Sequence, residues 1–419
     1  MRGCIPTKAL VRSAVVAHEI SRAEEFVIRV PEYEIDFAAV MGRVRGIIDR
    51  GANGAKGYLE SLDNLDLHFG EGVMEGPDAV RVDGRVLRAP RILIATGATP
   101  RRLTIPGLDG VDYLTSDDVL QLDTLPRRLI VVGAGPIGLE LGQALSRLGA
   151  EVTMVEVLDR ILPLAEPEVA EALVEYLTEE GITLLTGTQI VRAEQDGATR
   201  RLTVRRAGIE SVLEGDAILL GVGRGPAVDG LDLDAAGVEH TERGISVGGD
   251  LQTSQSGVYA AGDVLGPPYG AFTHTARRMG VQMAENALGM ASHHVDPDWG
   301  PHAIFTDPEA AAIGMTEQQA RAAGHEVSVG IARPSGGKAR AWGEERGIVK
   351  VVAEAGTRRI LGAQVLAYHG ADLLHPIVVA MQAPGGTTDP VSYTHLRAHE
   401  TVVRISYAVF CLKKGGGGG

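Results

Sequence analysis

A strand-like run, Leu129 to Val132, meets Gly133-Ala134-Gly135-Pro136-Ile137-Gly138 and then a helical pattern from about Pro136 to Leu148 that Gly149 ends. Three glycines at that spacing between a strand and a helix leave few alternatives. The first permits a tight turn, the second lets backbone approach a ligand closely, and the third lets helix and strand pack. The amides of the turn and the positive end of the helix then face a pyrophosphate. A second strand, Glu151 to Glu156, follows, so the segment reads as the start of a βαβ unit. Glu156 lies 18 residues after Gly138, where a carboxylate can accept hydrogen bonds from an adenosine ribose. The same carboxylate repels a 2′-phosphate, so NAD is expected over NADP, with nearby Arg160 the opposing argument. Gly133, Gly135, Pro136, Ile137, Gly138 and Glu156 are the candidate nucleotide contacts.

The rest of the chain fits an α/β protein of several domains. Thr7 to Arg22 and Asp36 to Leu62 carry apolar residues at helical spacing, and Arg91 to Ala95 reads as a strand running into Thr96-Gly97. The segment 115–128 has the acids and proline of a linker. Beyond the βαβ start come a helix Glu166 to Glu180, a strand Ile182 to Leu185, and two or three charged strands between Ile190 and Leu213. The run Val258 to Asp263 then reads as a strand that delivers an acid, Asp263. A last segment from Ala303 mixes strands such as Ile348 to Val352 with a helix starting at Thr316.

Composition limits the partners. The 419 residues carry 40 Lys+Arg against 54 Asp+Glu, a net charge of -14, which argues against nucleic acid or an anionic membrane surface. No apolar run approaches the roughly 18 residues of a membrane span. Two cysteines exclude a disulfide scaffold and point to a reducing compartment, the cytoplasm. Glycine, at 55 residues, is in excess, as turns and close backbone approach to ligands require. From Val391 the text VSYTHLRAHET, then ISYAVFCL, two lysines and five glycines, resembles translated sequencing-library adapter. His395 and His399 stand at i, i+4 in it, but a metal site needs further ligands and a pocket, so no metal is expected. Cys411 falls with that tail, which leaves Cys4.

Cys4 precedes Pro6 and a first helical turn, where the positive end of the dipole and Lys8 suit a reactive sulfur. Gly-Cys-Ile-Pro-Thr-Lys (3–8), ATGATP (95–100), GAGPIGLE (133–140), GVGRGP (221–226), VYAAGDV (258–264) and FTDPEAAAIGMT (305–316) stand in this order. These six blocks resemble the flavin-dependent pyridine nucleotide-disulfide oxidoreductases, the family of dihydrolipoamide dehydrogenase, glutathione reductase and mercuric reductase. The resemblance covers nearly all of residues 1–389.

The resemblance implies two Rossmann-like dinucleotide-binding domains, one for FAD and one for NAD, plus an α+β C-terminal dimerisation domain. It divides the chain into 1–117 and 247–302 for FAD, 118–246 for NAD, 303–389 for the interface and 390–419 for the adapter-like tail. Cys4 is matched with the flavin-proximal cysteine, Lys8 with the lysine beside flavin N5, and Glu140 with the carboxylate that pairs with that lysine. Thr96 and Gly97 match the turn passing FAD, Gly72 a glycine at its adenosine, and Asp263 the acid on its ribityl chain. Gly223 falls where the family approaches the nicotinamide half of NAD. Phe272-Thr273-His274 looks more like the mercuric reductase branch, with His274 structural, whereas 156–163 looks like lipoamide dehydrogenase.

The family also carries a second redox cysteine five positions before Cys4, a first βαβ unit for FAD, and a C-terminal His-Pro and Glu motif. His375-Pro376 lies in an earlier helix than that motif. The chain is therefore expected to be a fragment truncated at both ends, without activity of its own, of an enzyme that is a homodimer when intact. Its electron acceptor is expected to be a small-molecule or protein disulfide, a dihydrolipoyl group or a metal ion. The alternatives are dihydrolipoamide dehydrogenase itself, a flavoprotein oxidase or peroxide reductase with one redox cysteine, and a non-catalytic NAD-binding module.

Overall fold

In the computed structural model, residues 3–269, 271–295, 300–334 and 337–383 are described. The adapter-like tail and its His395 and His399 lie outside them. The described residues divide into two compact units, one within 48–101 and 223–300 and the other within 3–47, 102–222 and 301–383.

In the second unit a parallel sheet runs in the order Ala217–Leu220, Arg128–Val132, Glu151–Val155, Thr183–Leu185. Its central strand is apolar throughout, as a parallel strand covered on both faces must be, with Leu129 to Val132 all buried. Leu129 pairs with Val152 and Val132 with Val155, which sets the end of the first strand beside the end of the second. The charged stretch becomes a three-stranded antiparallel meander, Thr188–Asp196, Thr199–Arg206 and Ile209–Gly215. Ala193, Leu202 and Val204 pack from it onto Ile130, Ile218 and Leu220. The last segment is a five-stranded antiparallel sheet covered by the helix Gly370–Gln382, which contains His375 and Pro376.

The first helix, Cys4–Ser21, starts three residues earlier than its apolar spacing indicates. Gly3 takes φ 84, a left-handed geometry that suits glycine, and so turns the chain directly into Cys4. Pro6 is tolerated because an N–H in the first helical turn has no partner within the helix to lose. Leu10, Ala14 and Ala17 are buried, and the helix packs against Pro136–Arg147.

The first unit holds a meander of Gly72–Gly76, Ala79–Val82 and Arg85–Arg88, and a parallel pair of Ile92–Ile94 with Val258–Ala260. Met74, Ile94, Val258, Val264, Leu265 and Met279 form its core. Among the described residues no helix is long and apolar enough to cross a membrane.

A buried cation ties the parallel-sheet region to the C-terminal sheet within the second unit. Lys350, 2% exposed on the strand Gly347–Glu354, donates to Glu166 at 3.0 Å and Glu168 at 2.9 Å and lies 3.0 Å from Glu317. Burial lowers the lysine's pKa, but the three carboxylates outweigh it and hold the pKa above its ordinary value. Glu166 is itself 3% exposed, so removing the ammonium strands a buried carboxylate. Lys350→Ala is expected to cost about 3–5 kcal/mol, read as a lowered urea midpoint with an unchanged slope.

Candidate functional site

The glycine turn is held by glycine-to-glycine contact. A Cβ on Gly138 would meet the Gly133 carbonyl oxygen at 1.9 Å, and one on Gly221 would meet the Cα of Gly138 at 2.8 Å. Gly133 has φ 95, so both its conformation and its neighbours require glycine. Gly135 differs. It is extended, caps the helix Pro136–Arg147, and a Cβ there would meet nothing within 4 Å. That open space lies at helical amides with no side-chain cap, the arrangement an anionic ligand can use. Pro136 occupies the first turn, where its missing N–H loses no helical bond.

Glu156 follows the strand Glu151–Val155 and folds its carboxylate back onto the turn. One oxygen accepts from the Ala134 amide at 2.8 Å and the other from Leu158 at 2.9 Å. An ionised carboxylate has about four lone-pair sites, so capacity remains for hydroxyl donors. The turn and its acid therefore fit the adenosine end of a dinucleotide.

Cys4 and Lys8 stand one helical turn apart on Cys4–Ser21, hence on one face. The Lys8 ammonium sits 3.9 Å from the centre of the Phe305 ring. Glu140, on the glycine-turn helix, accepts from the Phe305 amide at 2.8 Å. Lys8 and Glu140 thus meet through Phe305, and they form no direct ion pair among the described residues. Burial raises the Glu140 pKa, with Glu309 adding to it; the Phe305 amide and the charge of Lys8 pull the other way.

Further along the same helix are two residues that motif reading passes over. Gln143 bonds both polar groups of Asp307's backbone, and Arg147 makes a two-pronged pair with Glu180 at 2.7 and 2.8 Å while reaching Asp307 at 2.8 Å. His18 lies 4.0 Å from Glu180, its pKa lowered by burial and by Arg147. A signal was present in the sequence: Glu140, Gln143 and Arg147 repeat at i, i+3, i+7 in a helix whose other residues, Ser146 apart, carry no polar side chain.

The other unit holds Gly72, Thr96, Gly97, Gly223 and Asp263. Gly97 has φ 75 with open space beside it, and the Thr96 hydroxyl donates to Ala227 at 2.7 Å. Gly223 has φ 92 and accepts from the Arg101 amide. Gly72 opens the strand Gly72–Gly76 opposite Val82. Asp263 sits in the short helical turn Gly262–Leu265 after the strand Val258–Ala260; burial raises its pKa and Arg224 opposes the rise. A half-buried carboxyl at the end of a strand, next to an open glycine turn within one unit, suits a polyhydroxy ligand. His274 stacks on Phe272 at 5.6 Å. Among the described residues no three His, Cys, Asp or Glu side chains are grouped to hold a metal ion.

Residues 1–291 match the pyridine nucleotide-disulphide oxidoreductase family, and 300–401 match the dimerisation domain of the same family. A mercuric reductase of Bacillus cereus is 37% identical over 386 residues, 91% of this chain and 60% of that protein. The chain thus spans less than two thirds of that relative's length. A dihydrolipoyl dehydrogenase of Thermus scotoductus is 36% identical over 96% of this chain and 86% of its own. Among solved structures, LpdA from Mycobacterium tuberculosis superposes with a TM-score of 0.85 at 26% identity, over 98% of this chain and 90% of its own.

The raised pKa of Glu140 has a stability consequence. The folded chain holds that proton more tightly than the unfolded chain does, so ionising Glu140 costs stability as pH rises from the ordinary carboxyl value of 4.5. Glu140→Gln keeps an oxygen for the Phe305 amide and removes the cost. Denaturant titrations are expected to show the variant more stable than the parent at pH 7, with the difference shrinking as pH falls to 4.5 and below.

Proposed function

Because the chain belongs to the pyridine nucleotide-disulphide oxidoreductase family, we propose that the whole protein passes electrons between a nicotinamide dinucleotide, FAD and a cysteine pair that includes Cys4. The terminal acceptor is a disulfide or a mercuric-type ion. FAD and NAD(P) are the cofactors of that family. One observation carries the reading: the helix presenting Cys4 and Lys8 packs directly on the helix that begins at the open glycine turn.

Gly133, Gly135, Pro136, Ile137 and Gly138 would hold the pyrophosphate of NAD, with Glu156 taking the ribose hydroxyls. Gly72, Thr96, Gly97 and Asp263, which share one unit, would hold FAD. The chemistry FAD supplies when bound is two-electron transfer between a reduced nicotinamide and sulfur. The chain's own residues do the rest. Cys4 presents its sulfur in the first turn of a helix, at the positive end of the dipole. Lys8 adds a cation one turn on, and Glu140 balances that charge while fixing the Phe305 backbone beneath it.

Phe272-Thr273-His274 and the Bacillus cereus relative support a mercuric-type acceptor. A second reading, oxidation of dihydrolipoamide with NAD reduction, is supported by the segment Glu156 to Pro163 and by the Thermus scotoductus relative. The protein works as a homodimer through its C-terminal domain, as the matched dimerisation domain supports, in the reducing cytoplasm. The 419-residue chain itself, with Cys4 the single cysteine in the matched blocks, does not turn over a disulfide, since releasing a mixed disulfide needs a second thiol.

Two measurements test this. Gly135→Ala is expected to leave stability within about 1 kcal/mol yet weaken NADH binding about tenfold or more, roughly 1.4 kcal/mol; unaltered affinity would remove the glycine turn from the site. NADH should bind more tightly than NADPH, and Glu156→Ala should narrow that preference. The purified 419-residue chain should show no NADH-driven disulfide reduction. Sustained turnover would refute the single-cysteine argument.

A further inference from the structure

Gln143 is 3% exposed, and its carboxamide bonds the backbone of Asp307 at short range, with its Nε2 also 3.3 Å from the Glu180 carboxylate. Its Oε1 accepts from the Asp307 amide at 2.8 Å, and its Nε2 donates to the Asp307 carbonyl at 2.8 Å. Two bonds from one rigid amide to the N–H and C=O of one residue reproduce a strand-like pairing, which fixes both the position and the rotation of that backbone. Three residues earlier on the same helix, Glu140 accepts from the Phe305 amide. One turn later, Arg147 reaches the Asp307 carboxylate at 2.8 Å and is anchored by Glu180. A single helix face therefore holds the segment 305–307 at Phe305 and Asp307, and the Phe305 ring of that segment lies under Lys8.

We propose that Gln143 is a positioning residue for Lys8: its two-point bond to Asp307 sets the Phe305 ring beneath the ammonium, and so sets where that charge stands relative to Cys4. The inference rests on the proposed role of Lys8 and Cys4, but what it asserts is the placement. An aromatic face attracts an ammonium within about 6 Å of its centre, and that attraction fixes Lys8 only if the ring is itself fixed. Glu140 holds the segment by one hydrogen bond at the Phe305 amide, and Arg147 holds it by the Asp307 carboxylate. Gln143 adds the two bonds that set the rotation of the Asp307 backbone.

The test uses the full 419-residue chain with lysines reductively methylated with carbon-13, which keeps their charge. The methyl signal of Lys8, assigned by Lys8→Arg, should be displaced upfield by the Phe305 ring, and Phe305→Leu should abolish the displacement. Gln143→Met, of similar volume without either bond, should lose most of it. Leu145→Ala, which empties a fully buried position of the same helix without touching 305–307, should retain it although it destabilises the chain more. Should Gln143→Met fail to fold, Gln143→Glu keeps the acceptor and loses the donor, and should show a reduced displacement. A parental Lys8 signal in either folded glutamine variant, or equal loss in Leu145→Ala, overturns the proposal. The readout needs neither flavin nor turnover. Failure of the NADH tests with these shifts as expected would sink the proposed function and leave the positioning role standing.

Discussion

The contact between Gly138 and the carbonyl of Gly133 determines more than the turn that contains it. With no Cβ in the way, the helix can begin directly against the strand end, and its start fixes the azimuth of every later residue. Glu140, Gln143 and Arg147 consequently face 305–307, while Leu139, Leu141 and Leu145 go into the core. A helix begun one residue later would rotate this stripe by about a quarter turn or more, and the polar groups would meet apolar neighbours. The nucleotide turn and the surroundings of Lys8 are thus two ends of one geometric constraint.

Two buried cations in the same unit illustrate different uses of charge. Lys350 is surrounded by three carboxylates from two separate segments, and a compact ammonium can satisfy such a loose shell. Arg147 instead meets Glu180 edge to edge and reaches Asp307 with its remaining arm, a planar arrangement that an ammonium could not reproduce. The first joins elements; the second orients a backbone. Neither charge is used up by solvent, Arg147 having 5% of its side chain exposed.

Much of this architecture was legible in the sequence because it follows from short-range rules. Alternating strand and helix patterns located the βαβ start, and Asp36, read as a helix start, caps the helix Phe37–Glu60 by accepting from the Ala39 amide. Thr316 likewise caps Glu317–Ala322 through a reciprocal bond with Gln319. The early start of the first helix was not legible, because proline in a first turn reads as an interruption and only the backbone of Gly3 shows otherwise. The support around Phe305 was hidden for a different reason. Its partners lie more than 150 residues apart in sequence, and the bonds run from side chain to backbone, for which residue type carries no signature. Motif matching found Lys8 and Glu140 and expected them to touch; the ring and amide of Phe305 stand between them.

Glu156 is a strut in the turn and, under the proposed function, also its reader. One of its oxygens holds the Ala134 amide inside the glycine turn, so the residue proposed to tell one nucleotide from another also braces that turn. On that proposal, cofactor preference and loop rigidity are coupled at a single carboxylate. A side chain without an acceptor at this position would remove the Ala134 amide's partner, so preference and rigidity change together unless the replacement keeps an oxygen there.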